Sequence, residues 1–316
     1  MTYAQYDSIQ ATDFNTLVGA NVTSTANTLN VTWSTGSGQA GYGQAAEANV
    51  ATGDIVTASK WANLVNKTAN AASHQGTSIG TVTTPVVGGT ITYQANIATN
   101  LQSIYTSRGN AVAQGTTTAN TQTTTGTWGD YANFAFTCTF ANGDAARYFF
   151  NAGGQLKLTC THSNTSAGIN AAFNTLATQT GTIVISGQNS GTRQIAGSSF
   201  SGVTKVGGSG TVASIGTNNG YFGLSTGNTT IFDQDSGISP YTTRVQINYI
   251  ARTNGAVGSN GDNGNVVSVF CVFDKISGNG TVGSGSTCTL TVVPPSTTYI
   301  ANTWGTITLV GTNTVA

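Results

Sequence analysis

Charge is what this sequence most lacks. Lys, Arg, Asp and Glu make up 6% of its 316 residues, against about 25% in an ordinary soluble domain. Ten basic and ten acidic residues cancel to a formal net charge of zero. That balance leaves nothing to neutralise phosphates, so nucleic-acid binding is not expected. No apolar run approaches the roughly 18 residues of a membrane-spanning helix, and no basic amphipathic helix is present, so membrane insertion is not expected either. The opening MTYAQYDSIQ has neither a basic region nor an apolar core, so no secretory leader is expected.

Cysteine and histidine are scarce too. Cys138, Cys160, Cys271 and Cys288 are widely spaced, with no Cys-x-x-Cys pair, which disfavours a zinc ribbon or redox motif. Each sits in a Thr- or Val-rich run and reads as a buried free thiol. His74 and His162 are the only histidines. Both read as surface or turn residues, because neither has the clustered acid, nucleophile or ligands that a triad or a catalytic zinc site needs.

What is plentiful is small, polar and uncharged. Glycine contributes 41 residues, and Ser, Thr, Asn and Gln dominate the remainder. Even so, 12 Phe, 11 Tyr and 4 Trp supply a core that a disordered chain would lack.

A low-complexity run, GTTTANTQTTTGT at 115–127, divides the chain. The expected organisation is an N-terminal domain over 1–115, a Thr-rich linker over 116–127 and a β-sandwich over 128–316. The N-terminal part contains a repeat, IQATDFNTLVG at 9–19 and VTASKWANLVN at 56–66. In each copy an aromatic residue and a Leu-Val pair fall at i, i+3 and i+4, which is one apolar stripe on a helix. Thr12 and Ser59 stand where N-caps belong, and Gly76 stands where the second helix should stop. Phe14, Leu17, Val18, Trp61, Leu64 and Val65 are therefore the candidate seam, either between the helices or against a docking partner. A third helix is expected over 100–114, with Thr99 as cap, and β-like runs over Thr28–Trp33 and Thr90–Tyr93.

From Trp128 onward, alternating apolar and polar residues separated by Gly and Asn turns predict strands. The expected runs are 131–140, 146–150, 155–162, 181–186, 192–196, 201–206, 241–251, 265–275, 287–293 and 303–310, with one short helix over 168–176. The fold class expected is mainly β, an antiparallel β-sandwich or jelly-roll-like C-terminal domain with a small N-terminal α-containing domain.

Several motifs invite a functional reading and carry little. Gly36-x-Gly38-x-x-Gly41 matches a dinucleotide-binding fingerprint, but Asp54 precedes the next β-like run where a ribose ligand should end one. Asp233-Gln-Asp235-Ser-Gly237 and Asn260-Gly-Asp262-Asn263-Gly264 faintly resemble calcium loops but lack the further ligands and closing Glu; Asx-Gly turns explain them. No local spacing marks a glycosidase carboxylate pair. No cofactor, metal or catalytic residue is expected.

Three blocks carry a resemblance. The first is Gly41-Tyr-Gly-Gln44 with Ala58-Ser-Lys-Trp61-Ala-Asn-Leu64-Val-Asn66 and His74-Gln-Gly76. The second is Gly143-Asp-Ala-Ala-Arg147-Tyr148-Phe149-Phe150-Asn151-Ala-Gly153-Gly154-Gln155. The third, looser, is Asn219-Gly-Tyr221-Phe-Gly-Leu224 through Thr230-Ile-Phe232. Together they resemble virion structural proteins of contractile-tailed phages that infect marine cyanobacteria and related hosts. The resemblance implies a non-enzymatic part of a phage particle, assembled in the host cytoplasm, with other virion proteins as partners. A homo-oligomer is expected by analogy with phage appendages. A tail, baseplate or fibre-type component is the leading expectation. The alternatives are a capsid decoration (cement) protein and a carbohydrate-binding receptor module that stacks a host surface glycan on Tyr221, Phe222 and Tyr241.

Overall fold

The structure is a computed structural model, and it describes residues 10–19, 28–51, 53–86, 96–241, 245–276 and 280–316. The helices are α1 (Ala11–Val18), α2 (Leu29–Trp33), α3 (Ala58–Gln75), α4 (Asn96–Thr106), α5 (Gly143–Asn151) and α6 (Ile169–Thr180). The strands are β1 (Thr118–Thr123), β2 (Tyr131–Thr139), β3 (Gln155–His162), β4 (Thr182–Ile185), β5 (Arg193–Ile195), β6 (Ser198–Phe200) and β7 (Val203–Val206). They continue with β8 (Val212–Ile215), β9 (Thr229–Asp235), β10 (Val245–Asn254), β11 (Val266–Lys275), β12 (Ser286–Val293) and β13 (Thr308–Val315).

The fold is mainly β. Two antiparallel sheets form a sandwich-like arrangement, with strand orders β1-β12-β3-β4-β7 and β13-β2-β11-β10-β9-β8, and a small helical region precedes them. The strict period of β2 and β10 explains why they are strands. In β10, Val245, Ile247, Tyr249 and Ala251 are buried, while Gln246, Asn248, Ile250 and Arg252 point to the other face. A strand with one buried face pins its own register, because a one-residue slip would turn the buried set outward.

Most buried apolar side chains form one cluster that runs from Phe14 in α1 to Trp304 near the C-terminus, and Ala111, Val184, Ile195 and Phe200 form a second, smaller one. Phe14, Leu17, Val18, Trp61 and Leu64 all lie inside the first, with the Phe14 and Trp61 ring centroids 6.2 Å apart. Val65 is half-buried at its edge. Burying each large apolar side chain contributes about 2 kcal/mol. That gain is what holds α1, too short to be stable alone.

Several local expectations are corrected. The run expected as a linker over 116–127 contains β1, the edge strand of the five-stranded sheet, in register with β12. Thr121 and Thr123 lie opposite Thr289 and Thr287, and their hydroxyls bond at 2.8 and 2.9 Å. Threonine is β-branched and fits a pleated, half-buried surface, so low complexity here encodes a Thr ladder. The strand expected over 146–150 is helix α5, started by Asn142, whose side-chain oxygen accepts from the Ala145 amide at 2.8 Å. Its Ala145-Ala146 and Phe149-Phe150 pairs fall at i, i+1, i+4 and i+5, a helical stripe that the strand reading of 146–150 passes over.

The β-like run at Thr28–Trp33 is helix α2, wholly buried, with Asn30 bonded to both the amide and the carbonyl of Glu47. The run at Thr90–Tyr93 lies outside the described residues. Thr57, not Ser59, caps α3, and Gln10, not Thr12, precedes α1. Gly76 does end α3 in the left-handed conformation. Helix α4 begins before Thr99 and stops at Thr106, and the last expected strand starts at Thr308.

Candidate functional site

The glycine-rich loop at 35–43 is occupied from within the protein. Arg147 of α5 is fully buried. Its guanidinium donates to the carbonyls of Ala40 and Thr35, each at 2.6 Å, and to Asp144 at 2.9 Å. One turn later, Asn151 donates to the carbonyls of Gly38, Ala40 and Gly41. A phosphate-binding loop must aim amide N–H groups at its ligand. This loop aims carbonyl oxygens inward, and a cation holds them. Its positive-φ glycines, Gly36, Gly38 and Gly41, serve a tight turn around Arg147.

The other resemblance blocks meet at the same place. The Tyr42 hydroxyl donates to the Arg108 carbonyl at 2.8 Å and accepts from Gln75 at 2.7 Å. The His74 ring bonds the Ala152 carbonyl at 3.0 Å. Gln44 exchanges two bonds with Ala301, at 2.9 and 3.0 Å. Tyr221 stacks on Phe150 with ring centroids 4.6 Å apart. Segments from six parts of the chain thus meet in one node that ties the helical region to the sandwich.

The histidines are not surface residues, as the sequence had indicated. Both are buried. Burial pulls the His74 pKa down to about 4, and burial also lowers that of His162, which bonds Ser286 and Asn170. The four cysteines are free and buried, and burial pushes the Cys138 thiol up to about 12. Asp262 accepts from the amides of Gly258 and Gly264, which is an Asx turn. Asp233 and Asp235 lie in strand β9. Among the described residues, no group of three or more His, Cys, Asp or Glu side chains is placed to hold a metal ion, and no helix is long and apolar enough to cross a membrane.

Of the aromatic residues expected to stack on sugars, Tyr221 is buried and Phe222 and Tyr241 are partly buried. Tyr221 is 0% exposed, and its hydroxyl donates to the Gly264 carbonyl at 2.8 Å. Phe222 packs edge-on against Tyr221, and Tyr241 is half-buried against the core.

An open surface lies elsewhere, on the outer face of the six-stranded sheet. Register places Asn133, Val272, Asn248 and Asp233 in one row across β2, β11, β10 and β9. Ala135, Phe270, Ile250 and Thr230 form the next row, and Tyr131, Asp274, Gln246 and Asp235 the row on the other side. Tyr131, Asn133, Asn228, Ile250, Phe270 and Val272 line a shallow trough of about 370 Å³. Tyr131 is 41% exposed, and the Arg252 guanidinium lies 5.5 Å from the Phe270 ring centroid. The sequence does carry a signal for this surface. Strand β11, VVSVFCVFDK, is apolar on both faces, as strands covered on both faces are. A second groove, about 290 Å³, lies between α3 and α4, where Val65, Ile79, Val82 and Ile97 face Thr68 and Asn100.

Compared with protein-family models, characterised proteins and solved structures, the chain matches none.

Proposed function

We propose that the chain is a non-enzymatic structural component of a tailed-phage particle, of tail, baseplate or fibre type. The observation that carries this reading is the buried node. The residues that resemble virion structural proteins (Tyr42, Gln44, His74, Arg147, Asn151 and Tyr221) are spent on hydrogen bonds and stacking inside the protein. They build a scaffold. Low charge and a Thr-ladder sheet suit a component packed among other virion proteins, where solubility alone matters less.

Quantitative mass spectrometry of purified particles tests this. The protein should be present at a copy number well below that of the major capsid protein. A copy number comparable with the capsid protein would move it to capsid decoration, and its absence from particles would overturn the proposal.

A further inference from the structure

We propose that Arg108 and Arg193 together bind one small dianionic oxyanion, of the phosphate or sulfate class, where the chain leaving α4 meets β5. The site does not depend on the particle reading.

The backbone brings the two guanidinium groups together. The Ala111 amide donates to the Gln194 carbonyl at 2.9 Å, and the Gln194 amide donates to Asn110 Oδ1 at 3.0 Å. Residues 108–111 therefore run beside 193–195, with Ala111 and Ile195 in a parallel bridge. Arg193 Nε lies so close over Gly109 that a Cβ there would clash with it. Gln39 touches both arginines' surroundings. Its carbonyl accepts from Arg108 Nε at 2.9 Å, and it lines a small pocket with Gly109, Gln188 and Arg193.

No carboxylate answers the pair. The ion pairs among the described residues are Lys67–Glu47 and Arg147–Asp144. Arg108 gives Nε and Nη1 to the carbonyls of Gln39 and Tyr105, and its guanidinium lies 4.3 Å from the Tyr105 ring centroid. Arg193 gives Nη1 to the Thr192 carbonyl at 3.2 Å. Among the described residues, Arg108 Nη2 and Arg193 Nε and Nη2 meet no acceptor. Both side chains are half-buried, so water and salt screen their repulsion only in part. Burial and the like charge of Arg108 lower the Arg193 pKa, as expected of a cation held without a counter-ion.

The amide side chains around the pair share its bias. Asn110 Oδ1 accepts from the Gln194 amide, Gln188 Oε1 from the Ser186 hydroxyl, and Asn189 Oδ1 from Gln39. In each the oxygen is engaged, and the NH2 group meets no acceptor among the described residues. Spent acceptors and unspent donors select a ligand that only accepts, and two guanidinium charges match a dianion. A neutral polyol would leave the charge unpaired, and a cation would be repelled. The pocket beneath is about 10 Å³, room for one water, so the anion sits at its mouth. Zero net charge over the whole chain conceals this local excess.

Isothermal titration calorimetry of the full-length protein tests the site, with sodium phosphate and sodium sulfate against sodium chloride at matched ionic strength. The expected result is one saturable site per chain for a dianion and none for chloride. Arg193→Gln and Arg108→Gln should each weaken it at least about tenfold, or about 1.4 kcal/mol. Arg193→Gln should keep the parent melting temperature, because the Arg193 side chain bonds only the neighbouring Thr192 carbonyl. Methyl phosphate separates two sources of the anion: binding equal to phosphate assigns the end of a phosphate ester, and its exclusion assigns the free ion. No saturable heat with either dianion, or undiminished binding in Arg193→Gln, would overturn the proposal. So would acetate binding more tightly than both, because the pair would then serve a protein carboxylate. If the variants fail to fold, the wild type still gives an answer with phenylglyoxal, which attacks guanidinium groups. Phosphate should slow the modification of Arg108 and Arg193, mapped by mass spectrometry, and rates equal to those in chloride would contradict the site.

Discussion

The guanidinium of Arg147 donates to the carbonyl of Ala40 at 2.6 Å, across 107 residues of chain. That bond fastens a helix of the β region to a loop of the helical region. Because Arg147 is fully buried, its removal takes the donor from the Thr35 carbonyl and leaves the Ala40 carbonyl to Asn151 and the Asp144 carboxylate to Asn260. Losing charge-assisted hydrogen bonds from a buried guanidinium costs about 2–3 kcal/mol, and the partly exposed Asp144 adds little to that. Arg147→Met should lower the urea midpoint accordingly. Arg147→Lys should recover little, since a single ammonium cannot reproduce the planar fork. Equal stability of the wild type and Arg147→Met would contradict the assigned role.

Gly43 and Gly38 separate the packing of the same loop from its backbone conformation. Both have positive φ, +70° and +52°. A Cβ on Gly43 would lie 2.5 Å from the Tyr148 ring, whereas one on Gly38 would meet nothing within 4 Å. Gly38→Ala should cost about 1 kcal/mol from strain alone. Gly43→Ala should cost at least about 2 kcal/mol, the clash added to the strain. Denaturant titration of the two variants checks the order.

His74 sets a pH dependence. Its folded pKa is about 4, against an ordinary 6.5, because burial opposes the charge. Between those values the unfolded chain binds a proton that the folded chain refuses, so stability falls as pH drops from about 6.5 toward 4. Above 6.5 this contribution is fully present. The loss is on the order of 3 kcal/mol. His162 shifts in the same direction and adds to the slope. The difference between the wild type and His74→Gln isolates His74: the variant should show the shallower decline. Identical pH profiles would remove His74 from the account.

The Thr ladder distinguishes a strand from a linker. Backbone amides of β1 that bond to β12 should be protected from hydrogen exchange. A double-mutant cycle of Thr121→Ala and Thr289→Ala should show coupling of about 0.5 kcal/mol. Free exchange throughout 118–123 would restore the linker.

Much of the sandwich was legible in the sequence. The expected bounds of β3 are the observed ones, and those of β2 and β10 agree to within a few residues, because alternation marks a strand with one buried face; β11 is legible instead as a continuous apolar run. The helical repeat was legible through the Phe14 and Trp61 stripes. The failures have physical causes. Helix α5 is one short element whose aromatic Tyr148-Phe149-Phe150 run mimics a strand although its apolar pairs have helical spacing, and β1 hides in a composition that looks like a spacer. Helix α2 carries β-branched residues yet is held by burial and by Asn30, so tertiary contacts overrode local propensity. The trough was missed because Tyr131 and Phe270 come from strands far apart in sequence. Tyr221, chosen as an exposed aromatic, stands in the core because its ring stacks on Phe150.

Immunogold electron microscopy of intact particles, with antibody raised to the full-length protein, bears most directly on the proposed function. Label at the tail, baseplate or fibres is the predicted result. Label spread over the head, or none on any particle, would contradict it.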